Sequence, residues 1–134
     1  MIPHIKITSE KMPKNAAGMQ VWFVVKLRKA FRKNEPLIKH ELEHVKQWWM
    51  MTLLVGALLG AAVWHINELW PILAFAPFAH GALYTLVRPY RQWAEVSAHR
   101  VQVKAGGNRE SLAKHLSSAY KLKMTYDQAW EAIG

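Results

Sequence analysis

The sequence contains no cysteine. Disulfide frameworks, cysteine-type zinc fingers and thiol nucleophiles are therefore excluded, and any metal must be held by imidazole or carboxylate. Acidic residues are scarce too: 9 Asp and Glu stand against 18 Lys and Arg, a formal net charge of +9 over 134 residues. Such an excess suits an anionic partner, and Lys26, Arg28, Lys29, Arg32 and Lys33 crowd one short stretch. No nucleic-acid recognition motif accompanies them, so lipid head groups rather than nucleic acid are the expected anions. A third shortage points the same way. From Gln47 to Val87, 41 residues pass without one Lys or Arg, and Glu68 is the only acid among them.

Two apolar runs lie in that window, Trp48–Ile66 and Leu69–Val87, separated by the polar pair Asn67-Glu68. As helix each would extend about 28 Å, close to the thickness of a bilayer's hydrocarbon core. Trp48, Trp49, Trp64 and Trp70 fall at the ends of the runs, as in an aromatic belt. Lys46 precedes the first run, and Arg88 and Arg91 follow the second, which would put both ends on the positive, cytoplasmic side. A soluble helical pair would keep a polar face, for which Thr52, His65, His80 and Thr85 are too few. Gly56 and Gly60 are spaced for close approach of two helices. The expectation is a hydrophobic helical hairpin over 48–87, membrane-associated and integral. The alternative is a soluble or virion-associated chain with this hairpin as its core.

Just before the apolar window stands His40-Glu41-Leu42-Glu43-His44, the spacing HExxH. Residues i and i+4 of a helix share a face, so both imidazoles can reach one Zn2+ ion while Glu41, beside it, serves as general base toward a metal-activated water. The helix this requires is signalled by Asn34 or Glu35 as cap, by Pro36 in the first turn and by the absence of further Gly or Pro until Gly56. Glu43 would point away from the pair into solvent.

Elsewhere, Ile5-Lys6-Ile7-Thr8 and Met19–Leu27 read as two strands joined by a turn over Met12–Gly18. After the hairpin a helix continues through Gln92–Lys104, breaks at Gly106-Gly107 and restarts behind Asn108 over Ser111–Lys121. A last helix begins at the capping box Thr125-Tyr126-Asp127-Gln128. If the chain folds back at Asn67 with both arms helical, Glu95 returns to the height of His40 and His44 and becomes the third ligand. His65 and His80 read as hydrogen-bonded residues of the hairpin, and His4 and His115 have no partner spacing. Tyr90 and Tyr120 are both candidate oxyanion donors.

The succession of His40-Glu-Leu-Glu-His44, a hydrophobic hairpin and Glu95-Val-Ser-Ala-His99-Arg100 resembles the gluzincin pattern of integral-membrane zinc peptidases of the HtpX and CAAX-prenyl-protease kind, and also small, often phage-encoded, HExxH proteins. The resemblance covers residues 19 to 104. It implies His40, His44 and Glu95 as zinc ligands and Glu41 as base. Where those peptidases carry Asp four residues after the ligand Glu, this sequence has His99. The family's Asp orients a ligand histidine; His99 could accept a hydrogen bond in its place, donate to an oxyanion, or approach the metal.

The expected protein is thus α+β and mainly helical, a single zincin-like domain over 1–134 with a short N-terminal β element. Its expected function is zinc-dependent hydrolysis of peptide bonds in a peptide or protein substrate, with membrane lipid as the other partner. A non-catalytic, membrane-anchored or membrane-perturbing module with a structural or vestigial zinc site is the alternative.

Overall fold

The computed structural model describes residues 3–13, 16–64 and 66–134, with side chains described at all of these except 67–69. Strands β1 (Ile5–Thr8), β2 (Gly18–Val21) and β3 (Val24–Leu27) form one sheet in the order β1-β3-β2. β3 is parallel to β1, with Ile5 opposite Val24, and antiparallel to β2, with Val21 opposite Val24. The reading of Met19–Leu27 as one strand is corrected here: Trp22 takes a φ of 57° and folds the run into a two-residue hairpin. A positive φ at the first turn position matches the twist of the flanking strands, though glycine is the usual occupant. The Trp22 ring makes an edge contact with Phe78, ring centroids 5.8 Å apart, and its carbonyl accepts from Gln20 Nε2. Met12–Gly18 accordingly leads from β1 to the far edge of the sheet instead of turning between paired neighbours. Lys14 and Asn15, within it, lie outside the described residues.

Helix α1 runs from Glu35 to Val63, 29 residues. The Asn34 side chain accepts from the Leu37 N–H at 3.0 Å, and Pro36 occupies the first turn, where its missing N–H costs nothing. The first half of α1 packs on the sheet, closing a core of Val25, Leu27 and Val45 flanked by Phe23, Leu37, Ile38, Leu42 and Trp49. Its second half leaves the sheet and exposes apolar side chains, Leu53 at 66% and Leu58 at 62%. α1 is long and apolar enough to cross a membrane, and its most apolar stretch is mostly exposed.

The second arm of the expected hairpin is not one α-helix. Asn67–Phe78 is a 3₁₀ segment, followed by α2 (Ala79–Leu86) and α3 (Arg88–Lys104). Pro71 and Pro77 lie inside the 3₁₀ stretch, where they withhold the N–H donors an α-helix would need. Gly56 and Gly60 do face this arm, toward Ala76 and Leu73, but at distances where a Cβ would make ordinary van der Waals contact. Between α2 and α3 the chain bends by 99°. Continuing the helix would require N–H donors from Arg88 and Pro89 to the carbonyls of Tyr84 and Thr85, and proline has none. The Arg91 guanidinium donates instead, Nε to the Tyr84 carbonyl at 2.7 Å and Nη2 to that of Thr85 at 2.5 Å.

Helices α4 (Arg109–Ser118) and α5 (Tyr126–Ala132) complete the chain. Asn108 caps α4 through the Ser111 N–H, and Thr125 with Gln128 forms the expected capping box. α4 stops before the expected Lys121, because Tyr120, Lys121 and Lys123 all adopt positive φ. Ala113, Leu116, Leu122, Ala129 and Ile133 make a second apolar core, with Val96 and Val103 of α3 packed against it. The fold is α+β and mainly helical, as expected. α3 therefore has one face on this C-terminal core while it also packs against α1.

Candidate metal centre

The facing surfaces of α1 and α3 bury polar side chains. His40, Glu41 and His44 come from α1 and Glu95 and His99 from α3, none more than 8% exposed. The i, i+4 spacing sets the two α1 imidazoles 4.9 Å apart between ring centroids. Both turn Nε2 toward the same carboxylate: His40 Nε2 lies 3.9 Å from Glu95 Oε2, and His44 Nε2 3.6 Å from Oε1. The three residues offer ligand atoms within 4.8 Å of one another, a group that could hold a metal ion. Its chemistry fits one. Glu95 Oε2 is buried without a hydrogen-bond partner, a costly state for a carboxylate unless a cation accompanies it. Burial, with the neighbouring His44 and His99 rings, holds the His40 imidazole well below its ordinary pKa and so keeps it neutral, as a ligand must be.

Glu95 reaches the histidines by another route than that expected. α1 and α3 do meet antiparallel, with His40 beside His99, Glu43 beside Ser97 and Gln47 beside Ala94, but the arm that joins them is the 3₁₀ segment, α2 and the 99° bend instead of one continuous helix. Glu41 stands outside the ligand group. Its carboxyl group lies against β2, so close that a Cβ on Gly18 would be 2.7 Å from Oε1. In the β2–β3 register Gln20 faces Val25 one step beyond a hydrogen-bonded pair, so its backbone groups point away from β3, and its N–H donates to Glu41. Burial, then the Glu95 charge, pushes the Glu41 carboxyl up to about 8, against the Gln20 bond.

His99 is 1% exposed and packs edge-on against His40, centroids 4.6 Å apart. Its Nδ1 lies 2.8 Å from the Glu95 backbone carbonyl, to which it donates. That nitrogen therefore does not accept a hydrogen bond from His40 or His44. Burial lowers the His99 pKa to about 4. Glu43, expected in solvent, is half-buried: it accepts from Lys46 Nζ and from Ser97 Oγ of α3, each at 3.2 Å, and so joins the two helices. His80 is buried with Nδ1 2.7 Å from the Tyr90 hydroxyl, the hydrogen-bonded role expected of it. His65 lies outside the described residues.

A cavity of about 770 Å³ opens on the site, lined among others by Trp22, Glu41, His44, Phe78, Tyr84 and Tyr120. Of the two tyrosines expected as oxyanion donors, Tyr120 lines it and Tyr90 is engaged with His80. Burial and the Glu95 and Glu41 charges raise the Tyr120 hydroxyl above its ordinary value, so it remains a donor. Tyr84 escaped the sequence reading, yet its hydroxyl donates to Glu95 Oε1. No periodicity links it to Glu95, because the bend falls between them. Gln47 also escaped, although a signal existed: it follows His44 by three residues on the same helical face. No family model, curated protein or solved structure matches the chain.

Proposed function

We propose that this protein is a zinc metallopeptidase of gluzincin type, with His40, His44 and Glu95 as ligands of Zn2+ and Glu41 as general base. The observation that carries the reading is the convergence of two Nε2 atoms on one buried carboxylate whose Oε2 has no hydrogen-bond partner, with a second carboxylate beside them on the same cavity. Zinc, when bound, would polarise the scissile carbonyl and acidify water. The chain's residues supply the rest. Glu41 takes the proton of the attacking water and passes it to the leaving amine, aligned for both by the Gln20 N–H. Tyr120, which lines the cavity, is the donor offered to the developing oxyanion, the Tyr84 proton being committed to Glu95. β2 is an open sheet edge lining the cavity, on which an extended peptide could lie as a further strand.

The apolar arm belongs to the same proposal as a membrane insert, with lipid as partner and both flanks of 48–87 on one side. Support comes from the exposure of Leu53, Leu58, Phe75 and Trp64, each above 60%. A closed, structural site would need a fourth ligand, and among the described residues the group whose ligand atoms lie within 4.8 Å of one another has three members, His40, His44 and Glu95. The open site favours catalysis.

The decisive variant is Glu41→Gln. It should retain zinc by elemental analysis while hydrolysis of a fluorogenic peptide library falls by at least ~10²-fold, the usual scale for removing a positioned proton acceptor. Undiminished hydrolysis in the variant, or a parent that carries zinc and cleaves no peptide, would overturn the peptidase reading.

A further inference from the structure

Gln47 is 1% exposed, and both ends of its amide are engaged. Nε2 donates to the backbone carbonyl of Ala94 at 3.1 Å, and Oε1 lies 2.9 Å from His44 Nδ1. A carbonyl only accepts, so the amide nitrogen must face Ala94 and the amide oxygen must face the imidazole. An amide oxygen likewise only accepts, and His44 Nδ1 therefore carries the proton. The lone pair of His44 is left on Nε2, the nitrogen that faces Glu95 Oε1. At His40 the Nδ1 makes no hydrogen bond of that geometry, and the side chain that reaches this ring is Gln102 of α3.

We infer that Gln47 is a positioning residue of the metal centre: its amide fixes the tautomer and ring orientation of His44 and ties that ligand to the backbone immediately before Glu95. One side chain thus couples a ligand on α1 to a ligand on α3. The inference rests on the metal-site reading above. It also assigns to an amide three residues beyond the second histidine the orienting task that the resemblance places four residues after the ligand Glu, where His99 is turned to a carbonyl of its own helix.

The test uses the full chain. In the metal-free, 15N-labelled protein near neutral pH, long-range proton–nitrogen correlation spectra should show His44 as the Nδ1–H tautomer. Zn2+ affinity is then measured by competition with a chromophoric chelator for the parent, Gln47→Met and Gln47→Glu. Gln47→Met should bind about 10- to 100-fold more weakly, the usual cost of losing a residue that orients a metal ligand. Gln47→Glu, which can still accept from Nδ1–H, should recover most of that loss; a merely structural role would leave both variants equally impaired. The inference falls if the parent shows His44 as Nε2–H, if Gln47→Met binds like the parent, or if Gln47→Glu is as weak as Gln47→Met. Should Gln47→Met fail to fold, the parent's spectrum decides. Should the parent take up no Zn2+ while His44 shows the Nδ1–H tautomer, the metallopeptidase reading fails and the Gln47–His44 assignment stands.

Discussion

Two regions of this molecule invert the ordinary partition of side chains, in opposite directions. At the candidate metal centre His40, Glu41, His44, Gln47, Glu95 and His99 are buried. On the arm Leu53, Leu54, Leu58, Trp64 and Phe75 are more than half exposed. Each inversion is unfavourable alone. Buried ionisable groups lose hydration unless paired, and each large apolar side chain left in water forgoes about 1.5–3 kcal/mol of burial. On the proposed reading each region has a partner that offsets its cost, a cation for one and an apolar medium for the other. Trp48 Nε1 donates to the Pro77 carbonyl at 2.8 Å where the arm leaves the body, and Leu53, Leu54, Leu58, Trp64 and Phe75 all lie on the arm between these two residues. The arm's outer half can accordingly be changed without touching a ligand.

The largest effect should come from removing the cation's carboxylate. At ~1,000-fold excess over its Kd a bound ion stabilises the folded state by about 4 kcal/mol. Zinc should raise the parent's Tm and a chelator should reverse the rise. In Glu95→Gln most of that response should vanish, because the neutral amide no longer balances the ion's charge. Melts that respond to zinc equally in both proteins would remove Glu95 from the site.

A smaller effect sharpens the other half of the comparison. Leu58→Lys on the surface of a soluble protein would change stability by about 0.5 kcal/mol or less. In an inserted helix the same lysine near the centre costs about 2.5–3.5 kcal/mol. The parent should stay with the membrane fraction through a high-salt wash and through alkaline carbonate, and Leu58→Lys should shift toward the soluble fraction. The salt wash matters because the basic surface alone can bind lipid, and that attachment is screened. A parent released by either wash, or a monodisperse parent without detergent, would show that the arm needs no bilayer and leave the metal centre standing alone.

What could be read from the sequence follows from how local each cause is. The HExxH pair, its Asn34 cap and the Thr125–Gln128 box depend on spacings within one helix, and they stand where they were expected. The turn at Trp22 was hidden because nothing in Met19–Leu27 supplies a Gly or Asn for a positive φ, and the ring that Trp22 meets, Phe78, is more than fifty residues away. The second arm was misread for a related reason. Hydropathy gives the length of Leu69–Val87 and not its helix type, which Pro71 and Pro77 change. Pro89 was a local warning of the bend, but the replacement of its missing donor by Arg91, whose Nη1 also reaches the Tyr120 carbonyl, is a tertiary event. Glu95 arrives because α3 returns antiparallel over α1, so its position beside the histidines survived a wrong account of the path between them.

The smallest change tests whether the base can be separated from the metal. Gly18 sits on β2 in ordinary extended backbone, and what requires glycine is space: a Cβ there would stand 2.7 Å from Glu41 Oε1 and 3.1 Å from both Cδ and Cγ. Gly18→Ala must displace either the strand or the Glu41 carboxylate. The side chain is the softer of the two, so global stability should change by about 1 kcal/mol or less. The ligands lie on α1 and α3, away from that methyl, and zinc affinity should be unchanged. The carboxylate, however, would lose its register with the Gln20 N–H and with the attacking water, and a misplacement near 1 Å can cost about 10²-fold in rate. The expected signature is a parent-like metal content and Tm with kcat reduced and KM little altered. A variant that loses zinc in proportion to activity would mean that Glu41 and the ligand group are one structural unit, and that the base is not separable from the metal.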